Sequence, residues 1–245
     1  MAGENIYLLT ALPSPGELGA DPPMTPAEFL ERVSVAPKPY AEARALFLGD
    51  DLRQREALLA GEVDEVQLTV LTAAQAKDEA PLPAYLAGET DEEAPAGLGV
   101  DAVWGAYFRH VAALGRRSAF LAAWVRHEVG LRNALAAVRA KALGLDAARY
   151  LVEPQLGLEE DAFAATIAEW SAAATPLAGL RALDTARWRW LAEHDAWFTF
   201  ADDELDVYAA RLILLGRWKR IEQAEQGAAE PAAASGPDPR ERITT

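Results

Sequence analysis

Residues able to do acid–base, nucleophilic or metal chemistry are scattered along this chain rather than grouped. The three histidines, His110, His127 and His194, never fall three or four residues apart. No helix can therefore present two of them to one metal ion. Glu193-His194-Asp195 puts three potential ligands in a row, but successive residues of a regular helix point in different directions and cannot close on one ion. Cysteine is absent, so the chain has no thiolate nucleophile, no thiolate metal ligand and no disulfide, a composition that fits a reducing compartment. Gly16-x-x-Gly19 lacks the lysine and the following helix of a phosphate loop, and no serine stands in a Gly-x-Ser-x-Gly turn. The densest carboxylates are Asp91-Glu92-Glu93, in a stretch rich in proline and glycine, and Asp202-Asp203-Glu204, at a helix start. Acids at a helix start complement its dipole and need no catalytic explanation. The sequence thus assigns no catalytic, cofactor-binding or metal-binding residue, implies no cofactor, and reads as a protein that is not an enzyme.

Two constellations remain. Glu128 lies on the apolar face of the longest amphipathic segment, with Arg132 four residues later and Asn133 five later. This group is either a local ion pair along the helix or a polar anchor between helices. Near the C-terminus, Arg187, Arg189, Arg217, Lys219 and Arg220 concentrate positive charge beside Trp188, Trp190 and Trp218. Arginine with tryptophan is a composition favoured at interface hot spots, which makes these eight residues interface candidates. The alternative is that the tryptophans, with Trp197, Phe198 and Phe200, fill the core while the bases complement a helix C-terminus.

The elements that would position these groups are helical. Thr25, Pro26 and Glu28 form a capping box with proline at the first helical position. That helix should fade before Pro37. A second is expected from Pro39 to Leu48, and a third, capped by Asp50-Asp51, from Leu52 to Leu59. Val66, Leu68 and Val70 alternate as in a strand, although a helix is also compatible. Asp101 is placed to cap a helix carrying Trp104, Tyr107 and Phe108. Ser118 is placed to cap one running to about Leu143, on which Leu121, Trp124, Glu128, Leu131, Leu135 and Val138 share a face. Further helices are expected over 158–173, 176–194 and 202–226. Residues 6–12 read as a short strand or buried extended arm, although periodicity does not separate these from a short helix. The fold class is all-α, a bundle of packed helical lobes: 1–77 an N-terminal lobe, 78–100 an acidic loop, 101–226 a central and C-terminal lobe, and 227–245 a disordered tail.

Charge divides the same way. Of the net −15, residues 1–101 hold 19 acids and 6 bases, a net of −13, and residues 102–245 hold 19 acids and 17 bases, a net of −2. An acidic half repels phosphate backbones, so nucleic acid is not expected as a partner. No apolar run approaches the roughly 18 residues of a membrane span, so no direct membrane insertion is expected. Nor is a signal peptide, because Met1-Ala2-Gly3-Glu4-Asn5 has no basic region.

Three blocks together resemble a known family. Tyr7-Leu8-Leu9-Thr10-Ala11-Leu12-Pro13, followed by Asp21-Pro22-Pro23-Met24-Thr25-Pro26-Ala27-Glu28-Phe29-Leu30, forms the first. Trp124 to Leu135 with Arg139-Ala140-Lys141 forms the second. Arg187-Trp188 to Phe198, then Tyr208 to Trp218, forms the third. In order and spacing they resemble a bacterial family of unassigned function associated with V/A-type ATPases and similar to their C subunit, called d in eukaryotes. The resemblance implies a non-catalytic adaptor between the central-stalk subunits and the proteolipid rotor ring, supporting ion transport. It also implies a cytoplasmic protein held on the inner face of the membrane through the ATPase complex. An assembly or regulatory factor for that ATPase, and a helical enzyme with an unrecognised pocket, are the alternative functions.

Overall fold

Local signals at several helix starts act as the sequence predicts. Thr25 Oγ1 accepts from the Glu28 amide at 3.2 Å, and Glu28 reaches back to the Thr25 amide at 2.7 Å. Together they open α2 (Pro26–Val33). Ser118 caps α6 (Ala119–Ala142) as expected, and Thr175, not singled out from the sequence, caps α8 (Pro176–Glu193) ahead of Pro176. The computed structural model describes residues 4–87, 99–196 and 199–229, and among these the chain is all-α with no strand. The other helices are α1 (Glu4–Thr10), α3 (Pro37–Leu59), α4 (Ala73–Ala76), α5 (Val100–Leu114), α7 (Ala164–Ser171) and α9 (Asp202–Ala229). Residues 88–98 of the expected acidic loop, residues 230–245 of the expected tail, and Trp197 and Phe198 lie outside the described residues.

Three expectations need correction. The apolar run at residues 6–12 is not a strand or an extended arm. It forms α1, which packs on α9 with Leu8, Leu9 and Leu12 against the core and Asn5 donating to Asp202 at 2.5 Å. Asp101 does not cap α5; Gly99 holds that position and Asp101 lies in the first turn. Finally, the two helices expected on either side of Gly49-Asp50-Asp51 are one helix, α3. Gly49 lies within this helix where Tyr107 of α5 packs against its backbone, so a Cβ there would overlap the phenol oxygen. Asp51, 1% exposed, caps nothing of its own. Its carboxylate accepts from the amides of Thr69, Val70 and Leu71 at 2.6–3.1 Å. Gln54 brackets Gln67, donating to its carbonyl at 3.0 Å and accepting from its amide at 2.8 Å. Side chains of α3 thus satisfy the irregular segment around Val66, Leu68 and Val70, whose alternation suits a strand.

The core joins residues from both halves of the chain. Phe29 and Leu30 of α2, Leu46, Phe47 and Leu48 of α3, Trp104 and Tyr107 of α5, Leu121 and Trp124 of α6, Leu191 of α8, and Leu212 and Leu214 of α9 form one buried cluster. Between α3 and α9, Lys38 meets Asp202 near the two helix starts and Asp50 meets Arg220 further along both. The two helices therefore run in the same direction. A smaller cluster of Leu131, Ala134, Phe163 and Leu183 binds α7 and α8 to α6. Backbones approach closely where Gly130 meets Gly157. A Cβ on Gly130 would lie 2.5 Å from Phe163 Cε2 and 2.9 Å from the Leu158 carbonyl.

Candidate functional site

Glu128 is the centre of the first site. It sits on α6 at 4% exposure and bonds to other helices rather than along its own. Arg187 Nε of α8 donates to its Oε1 at 2.8 Å, and Arg53 Nη2 of α3 donates to its Oε2 at 3.1 Å. Arg187 Nη1 also donates to Asp184 Oδ1 at 3.1 Å, and the same oxygen accepts from Arg217 Nη1 of α9 at 2.7 Å. Next to this, Arg220 and Gln54 both donate to Asp50 Oδ2, at 2.9 and 3.0 Å. Four guanidiniums and three carboxylates therefore tie α3, α6, α8 and α9 together. Burial opposes the charge on Glu128, but Arg187, the neighbouring His127 ring and Arg53 outweigh it and hold its pKa well below the usual carboxylate range. Burial likewise opposes the charge on Arg187, yet Glu128 and Asp184 raise its pKa. Arg217 Nη2, Asp184 Oδ2 and Trp218 Nε1 are buried without a hydrogen-bond partner among the described residues.

Of the two readings of Glu128, Arg132 and Asn133, the interhelical one describes the geometry. Arg132 does not pair with Glu128. It reaches Asp101 of α5 at 3.2 Å and lies over Trp104, 4.9 Å from the ring centre. Asn133 anchors a different element: its side chain donates to the Val152 carbonyl and accepts from the Val152 amide, both at 2.9 Å. That pair pins the return of the segment that leaves α6 at Leu143.

The interface candidates are spread over several environments. Arg187, Arg217 and Arg220 belong to the buried network. Trp188 and Trp190 are half-buried against the core. Trp190 stacks on His194 at 3.7 Å and packs beside Phe120, Trp124 and His127, while Arg211 lies over Trp188. Trp218 is half-buried under the Arg181 guanidinium. Lys219 reaches Asp21 at 2.7 Å and Glu222 at 3.2 Å, and Arg189 is exposed. His194 faces the Trp190 carbonyl, and no group of three or more potential metal ligands gathers among the described residues.

A cleft of about 390 Å³ opens beside the network. Its floor is Trp104, its walls carry Arg53, Arg132 and Arg139, and its rim includes Leu143, Leu145 and Tyr150. Trp104 is 4% exposed and spends its indole N–H on Glu56 at 3.0 Å, so it shapes the cleft without offering a free ring face.

A second polar cluster lies at the start of α9. Asp206 is fully buried and Glu42 of α3 is 2% exposed. Ser118 Oγ donates to Asp206 Oδ2 at 3.3 Å, and Lys38 lies 3.7 Å from Glu42. Lys38 makes its shorter contact, 2.6 Å, with Asp202. Glu42 Oε2 and Asp206 Oδ1 are buried with no donor among the described residues. Burial, followed by the charges of Glu42 and Asp203, raises the pKa of Asp206 well above its ordinary value. Burial likewise pushes Glu42 up to about 7, against the pull of Lys38. Burial and the nearby acids thus favour the protonated form of both groups.

Sequence reasoning singles out Glu128 and Arg187 but not their partners Arg53 and Asp184, nor Glu42 and Asp206, and it reads Asp50, the partner of Arg220, only as a helix cap. The i,i+3 spacing of Asp184 and Arg187 was the available signal for one of these pairs. No protein-family model, curated protein or solved structure matches the chain.

Proposed function

We propose that this chain is a non-catalytic subunit of a V/A-type rotary ATPase, similar to the C (d) subunit and linking the central stalk to the membrane rotor ring. The observation that carries the proposal is the ordered resemblance of the blocks at residues 7–30, 124–141 and 187–218 to that family. The buried ion network supports it physically, because the same blocks supply its central members. Glu128 comes from the second block, and Arg187 and Arg217 come from the third. An adaptor that transmits torque must resist shear between helices, and directional ion pairs among four helices resist sliding more than apolar packing alone. No described helix is long and apolar enough to cross a membrane, in keeping with a peripheral place on its cytoplasmic face. The test is affinity purification of the tagged full chain from native membranes. Stalk and ring subunits should copurify at fixed stoichiometry. Recovery only with incomplete complexes would make the protein an assembly factor, and recovery with no ATPase subunit would overturn the proposal.

A further inference from the structure

We infer that the cleft above Trp104 is a docking site for an acidic segment of a partner protein, one that places an apolar side chain between carboxylates. The inference rests on the cleft alone and holds whether or not the partner is a rotary ATPase.

Charge is the first argument. The cleft is lined by Arg53, Arg132, Arg139 and Arg187 against Glu56, Asp101 and Glu128, a surplus of one positive charge in a chain of net −15. The arginines are not equally committed. Arg187 and Arg53 are tied to buried Glu128. Among the described residues Arg132 pairs only with Asp101, whose side chain is 62% exposed, so water screens that pair and an incoming carboxylate can displace it. Arg139 is exposed, with its guanidinium 5.3 Å over the Trp170 ring, and has no carboxylate partner among the described residues. A guanidinium stacked on an aromatic face keeps its N–H edge available for a carboxylate. Arg132 and Arg139 are seven residues apart on α6, two turns along one face, so they offer two carboxylate positions roughly 10 Å apart.

The rim supplies the second argument. Leu143 is 73% exposed, Leu145 46% and Tyr150 44%, three large apolar side chains on one short segment that all line the cleft. That segment is not a slack loop. Gly144 takes the left-handed conformation that ends α6, with φ at 69°, and the Leu145 amide closes onto the Ala140 carbonyl at 2.8 Å. Asp146 caps the following turn, and Asn133 holds Val152 from both sides. A rim fixed before binding loses little entropy when it is covered. Apolar anchors between guanidiniums match a peptide with leucine- or phenylalanine-like side chains flanked by aspartate or glutamate.

The experiment is selection from a random peptide library displayed on phage, using the full-length chain as bait. Recovered peptides should carry carboxylates on both sides of a large apolar residue. As synthetic peptides they should bind the double variant Arg132→Glu/Arg139→Glu at least about tenfold more weakly than the unaltered chain. Leu143→Glu should weaken them similarly, and because that side chain is mostly in water its melting temperature should not move. Recovery of no peptide, of basic or neutral peptides, or of peptides that bind the variants as well as the unaltered chain would overturn the inference. Concentration-dependent self-association abolished by Leu143→Glu would also overturn it, by assigning the cleft to a second copy of the chain.

Discussion

The two buried charge clusters lie along the same pair of helices, α3 and α9, and yet Glu128 in one has its pKa lowered while Glu42 and Asp206 in the other have theirs raised. At Asp50, Glu128 and Asp184 every carboxylate meets at least one guanidinium at 3.1 Å or less. At Glu42 and Asp206 the one nearby cation among the described residues is Lys38, 43% exposed and already closer to Asp202. Depth of burial is alike, since Glu128 is 4%, Glu42 2% and Asp206 0% exposed. Burial by itself raises the pKa of any carboxyl. What separates the clusters is whether rigid donors are supplied to outweigh it.

Removing charge from the matched cluster should have the largest effect. Glu128→Gln leaves Arg187 and Arg53 facing an amide, and the expected loss is about 3–5 kcal/mol, as for other broken buried pairs. Equilibrium urea unfolding checks it, and a loss under 1 kcal/mol would show that water reaches Arg187. Pairing the change with Arg187→Met should recover much of the loss, since the uncompensated guanidinium then disappears.

Protonation should distinguish the clusters next. Glu42 and Asp206 have raised folded pKa values, so the folded chain holds protons that the unfolded chain gives up above about pH 4. Their contribution therefore falls as pH rises from about 4 toward 7, by up to about 1.4 kcal/mol per pH unit for each proton retained. Glu128 has a lowered pKa, so its contribution is present above the unfolded value and is lost as pH falls through the folded one. In Asp206→Asn the decline between pH 4 and 7 should flatten, and stability at pH 7 should exceed that of the unaltered chain. An unchanged slope in urea titrations across this range would remove the proton from the pair.

Two smaller changes sharpen the contrast. Arg53→Met takes one donor from Glu128 but leaves Arg187, so about 1.5–3 kcal/mol should be lost, the range for a charged hydrogen bond. Lys38→Met removes the lone cation of the acid pair from a half-exposed site and should cost no more than about 1 kcal/mol at pH 7. It should also move the acidic limb of the titration to higher pH. A larger loss at Lys38 than at Arg53 would reverse the comparison.

Much of the helical scaffold is legible in the sequence, because caps and apolar periodicity are local. Thr25 with Glu28, Ser118, and Thr175 with Pro176 act at a distance of a few residues. Two of the failures share a cause, contacts remote in sequence. Gly49-Asp50-Asp51 has the composition of a turn, and only partners remote in sequence make it the middle of a helix: Tyr107, Arg220 and the amides of residues 69–71. Glu128 is conspicuous as an acid on an apolar face, but nothing local distinguishes Arg132, four residues away, from Arg53 and Arg187 as its partner. The apolar residues of α1 are too few for periodicity to separate helix from strand.

The parallel pairing of α3 with α9 also sets an order of events as the chain is made. Asp50 and Arg220 are 170 residues apart, and Lys38 and Asp202 are 164 apart. A ribosome that has released α3 must still synthesise most of the described chain before that helix meets its principal neighbour. Until then Phe29 and Phe47 lack Tyr208 and the leucines of α9 to cover them, and Asp50 has no guanidinium from that helix. For the duration of synthesis the first half of this protein is a set of helices waiting for the last one.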